Sequence, residues 1–123
     1  MRTIKFKAQD IASNKWLYGD IRHRKNDVCI FEQGGNKGEQ VKPETICQFT
    51  GLHDRNGIKI YEGDILLYNG NKRTVEWKYG TFGLSMHENG FPFQAFYELP
   101  VPIVDSTVVG NIYDNLELLK GGK

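Results

Sequence analysis

Three acidic residues in the middle of the chain are the first candidates for chemistry. Asp54, Glu62 and Asp64 could converge as metal ligands or as an acid–base pair, because carboxylates serve both purposes. The stretch that starts at Asp54 is superficially similar to a calcium loop, but its glycine, Gly57, comes at the fourth position and no glutamate closes it at the twelfth. Asp and Asn are common in turns because their side chains bond to nearby backbone, so their presence there needs no functional explanation. We therefore expect Asp54 to cap a turn and Asp64 to bond to backbone beside Gly63.

Histidines and cysteines form no catalytic or metal-binding pattern. His23, His53 and His87 are scattered, and no Ser or Cys lies in a nucleophile motif. Cys29 and Cys47 lie eighteen residues apart without a Cys-x-x-Cys pair, so a zinc site is poorly supported and we expect two reduced, buried thiols. We expect no catalytic residues, no cofactor and no metal, and hence no enzyme. A metal-dependent enzyme that uses the acidic residues is the less favoured alternative.

Nucleic-acid binding is the stronger alternative. Lys72, Arg73 and Lys78 could lie near aromatic rings, and a basic groove with rings on which bases stack is a known binding mode. Cations near the N-terminus could add to the charge; they are Lys5, Lys7, Arg22 and Arg24. Two observations oppose this hypothesis. Trp77 and Tyr79 alternate with charged residues as core aromatics do, and the net charge is only +1.

Composition predicts one globular domain over residues 1–123. Charge is uneven, because the first 25 residues carry +5 (seven Lys or Arg against two Asp) and the remainder therefore carries −4.

The N-terminus lacks the apolar core of a signal peptide, and no apolar run approaches the ~18–20 residues of a membrane span. We expect a soluble, cytoplasmic protein without membrane association.

Alternation of apolar and polar residues with period two dominates the chain and predicts strands. We expect a mainly β fold, an antiparallel meander that forms small SH3-like or barrel-like sheets, with at most one or two short helices. N-terminal strands over about residues 1–50 should pack with a barrel-like part over about 58–113. The segment Phe93–Leu99 could be a short helix or irregular, and Thr107–Tyr113 reads as one strand.

The clearest strands form a three-stranded meander from Ile65 to Met86, with turns at Asn69–Lys72 and Gly80. In its middle strand we expect three apolar residues to face inward, namely Val75, Trp77 and Tyr79, and three polar residues to face water, namely Thr74, Glu76 and Lys78.

Three segments carry a recognisable pattern, namely IKFKAQD with the following Trp16-Leu17, the central run from Pro43 to Leu66, and VVGNIYDNLELL from Val108 to Leu119. Together they resemble the YopX family of phage and prophage proteins, which implies that the protein is located in the cytoplasm of a bacterial host cell. Two positions depart from the family pattern, since Gln9 stands where an aromatic is frequent and Leu116 where a proline often follows Asn115. The matching signature residues are Gly51, Leu52, Asp54, Asn56, Gly57, Tyr61, Glu62, Gly63, Asp64, Gly110, Asn111 and Ile112.

The resemblance implies a phage- or prophage-derived accessory protein, and it supplies no catalytic residues because the family has no established activity. We expect a non-enzymatic module for protein binding or assembly, whose partner is an unknown host or phage protein. We also expect a homo-oligomer, because short strands leave edges that can pair, and 15 aromatic residues can leave apolar surface exposed.

Overall fold

The computed structural model describes residues 5–32, 35–85 and 93–119, and the chain forms two compact units, residues 1–49 and 50–123. Both units are built from antiparallel strands, which confirms the mainly β prediction. In the described residues the helical segments are short 3₁₀ helices, Pro43–Thr45, Phe96–Glu98, Ile103–Asp105 and Leu116–Leu119. No described helix has the length and apolar character needed to cross a bilayer.

The first unit is one antiparallel sheet. Its strands are β1 (Phe6–Gln9), β2 (Trp16–His23), β3 (Val28–Phe31), β4 (Gly38–Gln40) and the start of β5 (Cys47–His53). They lie in the order β4-β3-β2-β1-β5. The strands β1 and β2 form an antiparallel pair, with Ala8 opposite Leu17. The strand β3 pairs with β2 on one side and β4 on the other, and its apolar residues on both faces suit this central position.

The core of the first unit lies on one face of this sheet. Four buried residues form it, namely Ala8, Val28, Ile30 and Val41, and Leu17, Ile21 and Ile46 pack against them. Leu17 and Ile21 share this face because they lie four residues apart in β2. Cys29 and Cys47 are buried free thiols, as expected.

The second unit contains the predicted meander. Its further strands are β6 (Lys59–Tyr61), β7 (Asp64–Tyr68), β8 (Asn71–Lys78), β9 (Thr81–Ser85), β10 (Gln94–Ala95) and β11 (Thr107–Asn111). Five of them form a sheet in the order β10-β9-β8-β7-β11. Met86, the expected end of the meander, lies outside the described residues. The ambiguous segment 93–99 divides into β10 and the 3₁₀ helix Phe96–Glu98.

Within the described residues neither sheet closes into a barrel, which corrects the closure expected from the sequence. In the five-stranded sheet, β10 and β11 lie at opposite edges and do not pair with each other in the described residues. The core lies instead on one face of an open sheet, where six buried residues cluster, namely Ile60, Leu66, Tyr68, Val75, Leu84 and Ile103. The Tyr68 hydroxyl donates to the Val101 carbonyl at 2.7 Å and accepts the Val101 N–H at 3.0 Å, so the core tyrosine is fully bonded.

The last strand is shorter than the sequence predicted, because β11 ends at Asn111 and not at Tyr113. The side-chain oxygen of Asn111 accepts the N–H groups of Tyr113 and Asp114, both at 2.9 Å, and turns the chain away from the sheet. A register shift between Val108 and Gly110 marks a β-bulge within this strand.

Candidate functional site

The turn between β8 and β9 places a tyrosine at an unusual backbone position. Tyr79 has φ +55° and the following Gly80 has φ +78°, so both turn residues lie in the left-handed region. The preceding hairpin, between β7 and β8, has the same conformation at Asn69 (φ +49°) and Gly70 (φ +84°). Asn-Gly is the favoured pair for such a turn, because both residues tolerate positive φ. Tyr79 does not, and its side chain is 89% exposed.

Four further aromatic residues surround this turn, and we call them together with Tyr79 the aromatic tip: Trp77, Tyr79, Phe82, Phe93 and Phe96. Trp77 and Phe82 meet edge to face with ring centroids 4.7 Å apart, and Tyr79 meets Phe93 in the same way at 5.7 Å. Phe82 also stacks with Phe96 at 6.5 Å. Trp77 is 50% exposed, so the rings pack on one another and still present apolar surface to solvent.

The inward placement of Trp77 and Tyr79 predicted from the sequence is wrong. Only Val75 of the three apolar residues is in the core, at 1% exposure. Thr74, predicted to face water, is 5% exposed. Alternation along β8 predicts which side a residue faces but not how deeply it is buried. The strand is buried on both faces only in its middle, from Arg73 to Val75, and is exposed at Trp77 and Lys78.

The three cations proposed for nucleic-acid contact do not form one stripe. Lys72 and Lys78 lie on the same face of β8, whereas Arg73 lies on the opposite face with Val75. Arg73 is 7% exposed, and its guanidinium donates to the Lys72 carbonyl at 3.1 Å. Lys78 is exposed, and its ammonium lies 3.3 Å from the Glu76 carboxylate and 5.9 Å from the Phe93 ring centre.

Asp54 and Asp64 of the signature accept hydrogen bonds from backbone N–H groups. One Asp54 oxygen accepts the N–H groups of Asn56 and Ile58 at 2.8 and 2.9 Å, and the other accepts that of Val108 at 2.9 Å. Asp64 is buried and accepts the Tyr61 N–H at 2.8 Å. No group of three metal-binding side chains comes together in residues 5–32, 35–85 and 93–119.

Burial and hydrogen bonding act on the Asp54 carboxyl in opposite directions. Burial raises its pKa, but the three backbone N–H donors and the neighbouring His53 lower it, and the net result is a pKa below the ordinary value. Asp54 is therefore a charged turn residue tied to β11. His23 and His53 are exposed, and His87 lies outside the described residues.

The glycines of the signature have local structural roles. Gly51, Gly57 and Gly63 have φ values of +90°, +80° and +88°, which side chains rarely adopt. Gly63 also links two strands, because its N–H donates to the Val75 carbonyl and its carbonyl accepts the Ile112 N–H. At Gly110 a Cβ would lie 2.6 Å from the Asn115 side-chain oxygen, so this position needs glycine for space.

The remaining signature residues support the same turns and core. Leu52 packs against the core of the second unit, Tyr61 is buried, and Asn56 and Glu62 lie in turns. The signature thus describes how the chain folds, while the aromatic tip lies outside it. Sequence reasoning missed the tip, although Tyr79-Gly80 stands between two alternating runs just as Asn69-Gly70 does.

Comparison with known proteins identifies a family and a solved structure of similar fold. The model of the YopX protein family matches residues 2–120. The crystal structure of protein EF1440 from Enterococcus faecalis is similar in fold, with a TM-score of 0.56, 22% identity, and coverage of 98% of this chain and 100% of that chain. No curated protein matches significantly. Because the family model covers nearly the whole chain, this protein belongs to the YopX family.

Proposed function

We propose that the protein is a phage- or prophage-derived accessory protein that acts by binding another protein through the aromatic tip, without catalysing a reaction. The observation that carries this proposal is Tyr79. Its ring is 89% exposed at a backbone position that disfavours tyrosine, so neither core packing nor turn formation accounts for the residue.

Energetic comparison of the two hairpins supports this argument. Left-handed backbone costs an ordinary residue about 1–2 kcal/mol, and asparagine avoids much of that cost. The chain has the favourable pair at Asn69-Gly70 and the unfavourable pair at Tyr79-Gly80, ten residues later. Tyr79 therefore lowers stability and buries little surface within its own chain. Contacts with another molecule explain its presence.

The chemistry of the tip suits a protein partner. Tryptophan and tyrosine are the residues most enriched among those that dominate binding energy at protein interfaces. The edge-to-face contacts of Trp77 with Phe82 and of Tyr79 with Phe93 hold the rings in place before binding. Less side-chain freedom is then lost on association, which favours affinity.

Roles of the acidic residues support a non-enzymatic function. The carboxylates of Asp54 and Asp64 bond to backbone N–H groups of neighbouring turns and strands, which is a structural role. The metal-enzyme alternative predicts a bound divalent ion, and elemental analysis that finds a stoichiometric metal would favour it over this proposal.

Site-specific crosslinking tests the proposal. A photoreactive phenylalanine analogue is placed at position 79 and, as a matched control, at position 69, the equivalent corner of the neighbouring hairpin. In cells that carry the source phage or prophage, we expect position 79 to crosslink to one specific protein and position 69 to give none. The parallel variant Tyr79→Asn should abolish co-purification of that protein. Equal crosslinking from both positions would contradict the proposal.

A further inference from the structure

The two units carry opposite net charge. Residues 1–49 contain nine Lys or Arg and six Asp or Glu, which gives +3, whereas residues 50–123 contain seven and nine, which gives −2. Three of these nine cations lie in one short run at the turn between β2 and β3, and all three are exposed: Arg22, Arg24 and Lys25. A charge asymmetry of this kind indicates an anionic partner for the first unit.

One member of this run is used to hold the turn. The Arg24 guanidinium donates to both oxygens of Asp27, at 2.6 and 2.7 Å, and the Arg24 N–H donates to the Asp27 carbonyl at 2.8 Å. Hydrogen bonding to Arg24 lowers the pKa of the Asp27 carboxyl, so this pair is charged at neutral pH. Arg22 and Lys25 form no ion pair with a described residue, and they remain the cations that can meet an external anion.

The same face of the sheet carries aromatic rings beside these cations. The Arg22 guanidinium lies 4.5 Å from the ring centre of Phe31 on the neighbouring strand β3. Tyr18 lies on the same face of β2, four residues from Arg22, and is 49% exposed. Asp20 lies between them on this face, and its carboxylate disfavours a phosphate there. A phosphate is thus favoured at the turn, and a flat ring is favoured against the exposed face of the Tyr18 side chain.

We infer that this face of the β2–β3 hairpin binds single-stranded nucleic acid, with phosphates at Arg22 and Lys25 and bases stacked on Tyr18 and the Arg22 guanidinium. Unpaired bases stack on exposed aromatic rings and guanidinium planes, whereas the bases of a duplex are already stacked on each other. An acidic protein would use the cations but would leave the tyrosine ring without a role. The inference is independent of the aromatic tip, which belongs to the other unit.

Fluorescence anisotropy with a labelled single-stranded oligonucleotide of mixed sequence tests the inference. Two phosphate contacts predict that log K falls with log salt concentration with a slope of about −1.4. Arg22→Gln combined with Lys25→Gln should remove this slope. Tyr18→Ala should weaken binding about tenfold and leave the slope unchanged, because stacking releases no counterions. The charge-matched control, Arg55→Gln with Lys59→Gln on exposed positions of the second unit, should bind like the unaltered protein.

Other results would overturn the inference. Equal loss of binding in the Arg55/Lys59 control would show attraction by overall charge alone. Loss of binding in Lys72→Gln with Lys78→Gln, and not in the Arg22/Lys25 variant, would place the contact on β8. If polyglutamate displaced the oligonucleotide and Tyr18→Ala had no effect, the face would be a docking surface for an acidic protein. Equal affinity for a duplex of the same sequence would exclude base stacking. Circular dichroism of each variant checks that it is folded.

Discussion

The Asp54 carboxylate accepts the backbone N–H of Val108, 54 residues further along the chain, at 2.9 Å. The other oxygen of the same carboxylate closes the turn from Asp54 to Ile58. One buried side chain therefore fixes a local turn and also binds the outer edge of β11. One outward N–H of this edge strand is thereby bonded within the chain, which reduces the strand's tendency to pair with another chain.

Removal of the Asp54 carboxylate should lower stability strongly. Asp54→Ala leaves three N–H groups without their charged acceptor, and hydrogen bonds to charged groups contribute about 1.5–3 kcal/mol each before relaxation and water entry reduce the loss. We expect the free energy of unfolding to fall by about 3 kcal/mol in urea denaturation. The control Asp105→Ala, at an exposed position, should change it little. A loss below about 1 kcal/mol for Asp54→Ala would contradict this role.

Stability should also fall in acid because of Asp54. Its folded pKa lies below the ordinary value of 3.8, so its contribution is fully present above about pH 4 and is lost as pH falls through the folded pKa. Asp10 and Asp27 also have lowered pKa values, so the unaltered chain loses stability from several groups. The difference in the free energy of unfolding between the unaltered chain and Asp54→Asn isolates the contribution of Asp54. That difference, measured by urea denaturation from pH 2 to pH 6, should shrink below pH 4. A difference independent of pH would show that the Asp54 charge has no role.

Exchange of the residues at the two hairpin corners should have opposite effects on stability. Tyr79→Asn creates Asn-Gly in a turn that favours it, and we expect a gain of about 1 kcal/mol in the free energy of unfolding. Asn69→Tyr should cost a similar amount. The first variant combines higher stability with loss of the partner, which separates binding from folding. If Tyr79→Asn were less stable than the unaltered chain, the ring would have a structural role.

Gly110 should tolerate no side chain while Asn115 is present. An added Cβ would lie 2.6 Å from the Asn115 oxygen, which accepts the Asn111 N–H at 3.2 Å. We expect Gly110→Ala to cost about 1–3 kcal/mol through this clash. Asn115→Ala removes the obstacle, so the double variant should cost less than the sum of the two single changes. Strict additivity in a double-mutant cycle would contradict the direct contact.

Self-association is the final prediction, because exposed aromatic surface can also be covered by a second copy. We expect size-exclusion chromatography with light scattering at micromolar concentration to show an oligomer. Tyr79→Asn should shift it towards the monomer, whereas Tyr97→Ser, which removes another highly exposed ring outside the tip, should not. A monomer in the unaltered protein would contradict the homo-oligomer expected from the sequence.

Local patterns predicted the strands and turns well, because they depend on neighbours in sequence. The turn at Asp54 and the hairpin at Asn69-Gly70 follow from side chains that favour these conformations. The link from Asp54 to Val108 could not be predicted, since it depends on where two distant segments meet. The exposure of Trp77 could not be predicted from its sequence neighbours either. Its depth depends on how far β8 extends beyond the core, and alternation records only the side.

The two tryptophans of the chain lie in different units, Trp16 in the first and Trp77 in the second. Trp16 has the Lys7 ammonium 4.7 Å from its ring, whereas Trp77 is half in solvent beside Phe82. Single replacement of either one by phenylalanine leaves a fluorophore that reports on one unit alone. Intrinsic emission can thus follow the melting of each half separately, and quenching or a blue shift from Trp77 would signal docking without any added label.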